Sequence, residues 1–285
     1  MAELFISHFD FPSKEIEYSF HFDQKETCYD TMYPFGILSK NNLQMLDFEP
    51  ITILYGGNGS GKTTALNVIA EKIKAQRDTL YNRSNFFEDY VRMCDVEGKN
   101  KGHESRIITS DDVFDYMLNI RALNEEVDQT REEIGKEYFD VRDRSFRLES
   151  LDDYEELKKI NLARRKTKSK FVRNQIIDNV REQSNGESAY MYFTNTIKEN
   201  GLYLLDEPEN SLSPERQLEL RQFLTDCTRF FGCQVIIATH SPFILSMKGA
   251  KIYDLDEEPV DVKRWTELPN VRAYYDFFQE HKGEF

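Results

Sequence analysis

Nowhere in these 285 residues does an apolar run approach the ~20 residues that a membrane-spanning helix needs. The opening stretch, Met1 to Asp10, lacks the basic segment followed by an apolar one that marks a secretory leader, so a soluble protein of the cytosol is expected. Cysteine is scarce. Cys28, Cys94, Cys227 and Cys233 form neither a CxxC pair nor a regular framework, which speaks against a disulfide-stapled scaffold and against a zinc site. Positive charge is in deficit: a formal net charge of -14 excludes a general nucleic-acid coat, because gripping a phosphate backbone takes clustered cations. Local clusters are still allowed. Proline is missing from residue 111 to residue 182, where long, charge-rich helical periodicity replaces the earlier pattern.

What the chain does have is the run GGNGSGKTT, Gly56 to Thr64, directly after the apolar stretch Ile51 to Tyr55. This order reads as a phosphate-binding loop: a strand enters a glycine turn whose backbone N–H groups converge, and a helix then opens with its positive dipole end toward the same point. Gly56, Gly57, Asn58, Gly59, Ser60, Gly61 and Thr64 would form the cradle. Lys62 would reach the β- and γ-phosphates of a triphosphate, and the Thr63 hydroxyl would ligate Mg²⁺. Ala65, Leu66, Ile69, Ala70 and Ile73 follow at helical spacing, which supplies the context the motif requires.

Residues 15 to 22 alternate apolar and polar (Ile16, Tyr18, Phe20, Phe22), and residues 43 to 48 are strand-like, so antiparallel strands are expected in the first fifty residues. Arg106 to Thr109 reads as a further strand. Leu202 to Leu205 and Val235 to Ala238 are short apolar runs suited to buried parallel strands, with the helical pattern Pro214 to Phe230 between them. The β-α-β order predicts an α/β fold with a parallel core sheet whose active groups gather at the carboxyl ends of the strands. The run Leu202-Tyr203-Leu204-Leu205-Asp206-Glu207 has the form of a Walker B element. Asp206 would serve Mg²⁺, and Glu207 would orient and polarise the attacking water.

With these motifs in place the chain resembles the ABC-type ATPase superfamily over most of its length. Gln183-Ser184-Asn185-Gly186-Glu187 stands where that superfamily carries its LSGGQ signature, and Ser184 and Gly186 match it. The resemblance implies a P-loop NTPase fold with antiparallel N-terminal strands and a helical subdomain. It also implies ATP and Mg²⁺ as ligands, and a head-to-tail homodimer formed on ATP binding. In that dimer Ser184, Asn185, Gly186 and Glu187 would cap the γ-phosphate held by the opposite subunit. Pro208 to Pro214 corresponds to the D-loop, and Ala238-Thr239-His240-Ser241-Pro242 to the switch-histidine segment, which places His240 at the γ-phosphate. The segments QSNGE, THSPFIL and KIYDLD look most like small stand-alone bacterial ATPases, closer to the chromosome-maintenance and break-repair branch than to transporter subunits.

Two departures stand out. The D-loop has Ser213 where the family usually carries an acid, and the Q-loop glutamine is missing: the matching region reads Ser110-Asp111-Asp112, so an aspartate either meets the metal or caps the next helix. Tyr33 and Phe35 are candidates to stack on adenine, with core packing as the alternative. The whole chain, 1-285, reads as one ATPase domain with a helical insertion at about 112-183, too short for a long clamp at 1.5 Å per residue. Within it Lys158, Lys159, Arg164, Arg165, Lys166, Lys168, Lys170 and Arg173 form a basic stretch. It would dock nucleic acid or a partner, or pair with the acidic block Glu149 to Glu156. Three functions compete: a regulatory or antiviral-defence ATPase with a protein partner such as a nuclease, the nucleotide-binding subunit of a transporter, and an ATP-gated binding module with little turnover.

Overall fold

The structure is a computed structural model that describes residues 4–25, 28–98, 104–144, 160, 162–173 and 185–285. The chain divides into two compact units, Met1–Phe114 with Asn185–Phe285, and Asp115–Ser184. In chain order the elements are β1 (Ile6–Asp10), α1 (Lys14–Asp23), β2 (Met45–Asp47), β3 (Ile51–Tyr55), α2 (Lys62–Ile73), α3 (Phe87–Met93), β4 (Asp95–Gly98), β5 (Glu104–Thr109) and α4 (Ser110–Asp143). There follow α5 (Lys168–Arg173), α6 (Asn185–Thr196), β6 (Gly201–Asp206), α7 (Pro214–Phe230), β7 (Gln234–Ala238), α8 (Pro242–Leu245), β8 (Lys251–Asp254), β9 (Asp261–Val262) and α9 (Pro269–Glu280).

Two sheets organise the first unit. One has the order β5-β6-β7-β3-β8-β9, with every neighbouring pair parallel except β8 and β9; the other is antiparallel, β2-β1-β4. β3, β6 and β7 are buried along their whole length, which is why they read as continuous apolar runs without alternation. Helix α2 packs on β5, β6 and β7 and also on β4, so apolar residues cover most of its circumference, Leu66, Val68 and Ile69 being fully buried. Phe9 and Leu46 of the antiparallel sheet, Tyr90 of α3 and Leu54 and Leu204 of the parallel sheet join them in one core. Buried Gln234 ties the sheets together: its Oε1 accepts from the N–H groups of Phe5 (2.8 Å) and Ile6 (3.1 Å), and its Nε2 donates to the Ile6 carbonyl at 2.8 Å. Such pairing is what allows an amide to sit in the interior.

Register fixes the working edge. Thr109 pairs with Asp206, Asp206 with Ala238, and Ala238 with Leu54, so four strands end at one level. The glycine loop, the acidic pair and the histidine segment therefore leave the sheet side by side.

Residues 15 to 22 are a helix and not the expected strand. Ser13 caps α1 by accepting the Ile16 N–H, Glu15 and Glu17 occupy the first turn and His21 the last, an arrangement that suits the helix dipole. The alternation misleads because Ile16, Tyr18 and Phe22 are exposed while Glu17 is buried. The Glu17 carboxylate accepts from the Gly36 N–H at 2.7 Å and from the Ser39 hydroxyl at 2.8 Å, and burial of a paired acid leaves no trace in a hydrophobicity pattern.

The second unit has a small core of Tyr138, Val141, Ile160, Ala163 and Phe171. The Tyr138 hydroxyl donates to the Lys166 carbonyl at 2.8 Å. Arg164 donates to the carbonyls of Arg142 (3.1 Å), in the last turn of α4, and of Arg144 (2.9 Å), just past its end. Arg165 and Lys168 are exposed and Lys166 is half-buried. Lys158, Lys159 and the acidic block Glu149 to Glu156 lie outside the described residues, as does the side chain of Arg173.

Candidate functional site

The loop from Gly56 to Thr64 is built mainly by its backbone. Gly61, the residue before α2, sits at φ +96°, and a Cβ there would meet Leu38 Cδ2 at 3.0 Å, so only glycine fits. The Ala65 N–H donates to the Gly61 carbonyl at 2.8 Å, which starts the helix at the loop's floor. Lys62 is 5 % exposed; its Nζ donates to the carbonyls of Gly56 (2.8 Å) and Gly57 (3.0 Å) and lies 3.6 Å from Glu207 Oε1. Asn58 to Thr64, with Ile37 and Glu207, enclose a cavity of about 310 Å³.

The second wall comes from the ends of β6 and β7. Asp206 is buried, and its Oδ1 accepts from the Thr63 hydroxyl at 3.1 Å. Burial pushes its carboxyl up to about 6, with repulsion from Glu207 adding to the effect while the Thr63 bond and Lys62 oppose it. Thr63 and Asp206 thus place a hydroxyl beside a carboxylate whose charge burial disfavours. That donor pair fits Mg²⁺, which takes few protein oxygens and completes its shell with water and substrate phosphates. Among the described residues no cluster of three or more His, Cys, Asp or Glu could hold a metal ion by itself.

Glu207 is a non-glycine residue at φ +46°, in the left-handed region, where the chain turns sharply off β6. Its N–H donates to the Ala238 carbonyl at 2.9 Å, and its Oε2 accepts from Asn210 Nδ2 at 3.1 Å. Both contacts hold the carboxylate over the loop. His240 Nδ1 stands 3.7 Å from Glu207 Oε1 and 3.6 Å from Glu209 Oε1. Lys62, Thr63, Asp206, Glu207 and His240, distant in sequence, are thereby gathered at one edge.

The remaining expected site residues divide. Ser184 lies outside the described residues. Asn185 opens α6 with Gly186 and Glu187 behind it; Glu187 pairs with Arg216 at 3.2 Å, and a Cβ on Gly186 would come within 3.7 Å of the Ser211 carbonyl. The start of α6 therefore rests against the segment that precedes α7. Ser213, the residue that departs from the family's D-loop acid, caps α7 by accepting the Arg216 N–H at 3.4 Å. Asp112 accepts from the N–H (2.6 Å) and hydroxyl (2.8 Å) of Thr109, whose own Oγ1 takes the Asp112 N–H at 3.4 Å. This reciprocal pair is a helix cap of the capping-box kind at the start of α4. The Tyr33 ring stacks on Phe87 and the Phe35 ring on Phe20, both packed against the core; the Tyr33 hydroxyl donates to Thr64 Oγ1 at 3.2 Å.

Several residues at this edge escaped sequence reasoning. Glu209 is 6 % exposed, and its Oε1 accepts from the Thr239 hydroxyl (2.6 Å) and from the N–H groups of His240 (3.0 Å) and Ser241 (3.1 Å). It clamps the backbone on which His240 stands. Asn270 Nδ2 holds the same loop from the other side through the His240 carbonyl at 2.7 Å, and Gln217 Oε1 accepts from the Ser241 hydroxyl at 2.6 Å. Asp256 Oδ2 accepts the Gly57 N–H at 2.8 Å, anchoring the mouth of the glycine loop. Of these only Glu209 carried a signal, as a third acid in Asp206-Glu207-Pro208-Glu209; the partners from residues 217, 256 and 270 arrive by tertiary folding alone.

The family model described as ABC transporter matches residues 41–210, more than half of the chain. A second, described as an AAA domain of candidate AbiEii toxins, type IV TA system, matches residues 179–246. No curated protein matches. Among solved structures, a nucleotide-free ATP-binding cassette from an ABC transporter is 13% identical with a TM-score of 0.38, over 81% of this chain and 90% of that one. A dimeric ATP-binding cassette in a post-hydrolysis state bound to ADP and Pi is 14% identical with a TM-score of 0.36, over 79% and 90%.

Proposed function

Because the chain belongs to the ABC-type ATPase family, and so binds and hydrolyses ATP, we propose that Lys62, Thr63, Asp206, Glu207 and His240 perform that hydrolysis and that it is coupled to closure of a head-to-tail homodimer. The observation that carries this reading is the convergence of those five side chains within 3.1–3.7 Å contacts at one edge of the sheet.

The backbone N–H groups of Asn58, Gly59 and Gly61 to Thr63 bind the phosphates, and Lys62, released from its two carbonyl partners, neutralises the β/γ charge. Thr63 and Asp206 would hold Mg²⁺, which when bound would supply further neutralisation of phosphate charge. Glu207, fixed by its strained backbone and by Asn210, orients a water for in-line attack and takes its proton. His240, positioned by Glu209 and Asn270, donates to the γ-phosphate oxygens as charge builds on them. Gly186 and Glu187, with Ser184 and Asn185, close the second subunit's site, and the packing of α6's first turn on the segment before α7 supports coupling between that closure and the acid–histidine wall. The chain then acts as a regulatory or defence ATPase in the cytosol, with a protein partner such as a nuclease.

Sedimentation of Glu207→Gln with and without ATP-Mg²⁺ tests the coupling. A nucleotide-dependent dimer should accumulate, and Ser184→Arg in the same background should abolish it while leaving ATP affinity unchanged. A monomer under all conditions, or a dimer indifferent to Ser184→Arg, would sink the proposal; co-purification with a permease would move the chain to transport.

A further inference from the structure

At the opposite end of β3 from the glycine loop lies a second cavity, of about 750 Å³, a volume in the usual range for small-ligand sites. Pro50 and Ile51 enter it from the start of β3, the last turns of α7 form one wall, and Met247 to Gly249 form the other. Its charged lining is Arg221, Arg229 and Lys248, and no carboxylate is among the described residues that line it. This is unexpected in a chain with 51 acids against 37 bases. Asp226, one turn away on α7, accepts from Gln222 Nε2 at 3.0 Å and does not line the cavity.

The cations are not consumed within the fold. Arg221 donates to the Ser246 hydroxyl at 2.8 Å, which aims a half-buried guanidinium along the wall. Arg229 and Lys248 are exposed and have no ion-pair partner among the described residues. A plain structural role would be to complement the carboxyl ends of α7 and α8. Those two ends together present about one unit of negative charge, against three positive side chains, so an excess of about two remains. Beside Arg229 stands Phe230, 71% exposed, while Ile51 and Met247 give the cavity an apolar floor.

An aromatic face next to unpaired cations suits a ligand that alternates planar bases with phosphates. We propose that this cavity binds a segment of single-stranded nucleic acid, with Arg221, Arg229 and Lys248 on the phosphates and Phe230 stacked under a base. A strand is favoured over a free nucleotide because Arg229, Phe230 and Lys248 are exposed at the rim, where a chain can continue out of the cavity. The lining includes no residue of the phosphate loop or of the basic stretch, and binding needs no ATP.

Fluorescence anisotropy of labelled dT12 and rU12 with the full chain, in the absence of ATP and at two salt concentrations, tests this. Binding should weaken with salt at a log-log slope of about 2, from about three phosphates on a single strand. Arg229→Glu/Lys248→Glu should reduce affinity at least about 10-fold, and Phe230→Ala by roughly 5- to 160-fold, the range for losing one stacked base. Circular dichroism and the ATPase rate of both variants should match wild type, and Arg165→Glu/Lys168→Glu should bind as wild type does. The proposal is overturned if neither oligonucleotide binds, if Arg229→Glu/Lys248→Glu binds undiminished, if the Arg165/Lys168 variant is the one that loses binding, or if dTMP competes as well as dT12.

Discussion

The two ends of strand β3 are organised on opposite principles. At its carboxyl end Lys62, Glu207, His240 and Glu209 form a chain in which each lies within salt-bridge distance of the next, and the backbone itself is bent into left-handed turns at Gly59, Gly61 and Glu207. At its amino end Arg229 and Lys248 face solvent unpaired, on ordinary helix and loop backbone. The difference is one of preorganisation. Charges fixed in a half-dry cleft act strongly on a transition state but cost folding energy, whereas exposed cations cost little and can only attract. Mutations should therefore separate the ends sharply, with effects on turnover and stability confined to the first.

The largest effect is expected from Lys62→Ala. Without the ammonium the loop's N–H groups face the β/γ charge alone, and ATP binding should be abolished as measured by calorimetry. Affinity equal to wild type would remove the phosphate-loop assignment and, with it, the contrast between the two ends. Next comes Glu207→Gln, which keeps the shape of the site but cannot take a proton. Single-turnover hydrolysis should fall by about 10²- to 10⁴-fold with ATP still bound, and a wild-type rate would transfer the base role elsewhere.

Glu209→Ala probes whether the histidine is held or merely nearby. Three donors, from Thr239, His240 and Ser241, lose a shared acceptor in a buried place, at a cost of about 1–3 kcal/mol in unfolding free energy. Turnover should drop more than ATP affinity, because only the γ-phosphate contact proposed for His240 would be misplaced. Equal loss in both would mean that Glu209 supports the fold and does not position His240.

Asp206→Asn sharpens the electrostatic side of the comparison. Burial pushes the wild-type carboxyl up to about 6, above the 3.8 of an unburied one, so its ionised form is the destabilised form. That penalty is absent below about pH 4, grows up to pH 6 and is complete above it. In EDTA at pH 7.5 the Asn variant should be more stable than wild type by up to roughly 2–3 kcal/mol, and the gap should close at pH 4. A gap independent of pH would show that the buried carboxylate is not the source. Hydrolysis should be lost in the same variant.

Much of the carboxyl end was legible because its chemistry is local. A phosphate loop needs glycines at fixed offsets between a strand and a helix, and GGNGSGKTT states those offsets outright; Leu202 to Glu207 likewise shows a buried strand and its acidic tip in one run. The amino-end cavity was invisible. Arg221, Arg229 and Lys248 stand among many charged residues, and nothing in their spacing says that Pro50 and Ile51 will complete the wall. Residues 15 to 22 failed for a related reason: a period of two predicted a strand, but a cap at Ser13 and a buried, paired Glu17 outweighed it.

The sequence by itself determined the strand–loop–helix around Gly56 to Thr64, the strands that carry Asp206 and Ala238, the helix Pro214–Phe230, and so the family. Each depends on residues within a few positions of one another, where backbone geometry and hydrophobic periodicity are sufficient causes. The tertiary structure alone decided that Glu209 and Asn270 grip the histidine loop, that Asp256 anchors Gly57, and that Arg221 and Arg229 of α7 meet Lys248 of the segment after α8 beside the start of β3. These contacts join residues tens to hundreds of positions apart, and they exist only because the parallel register of β5, β6, β7 and β3 brings the strand ends to common levels.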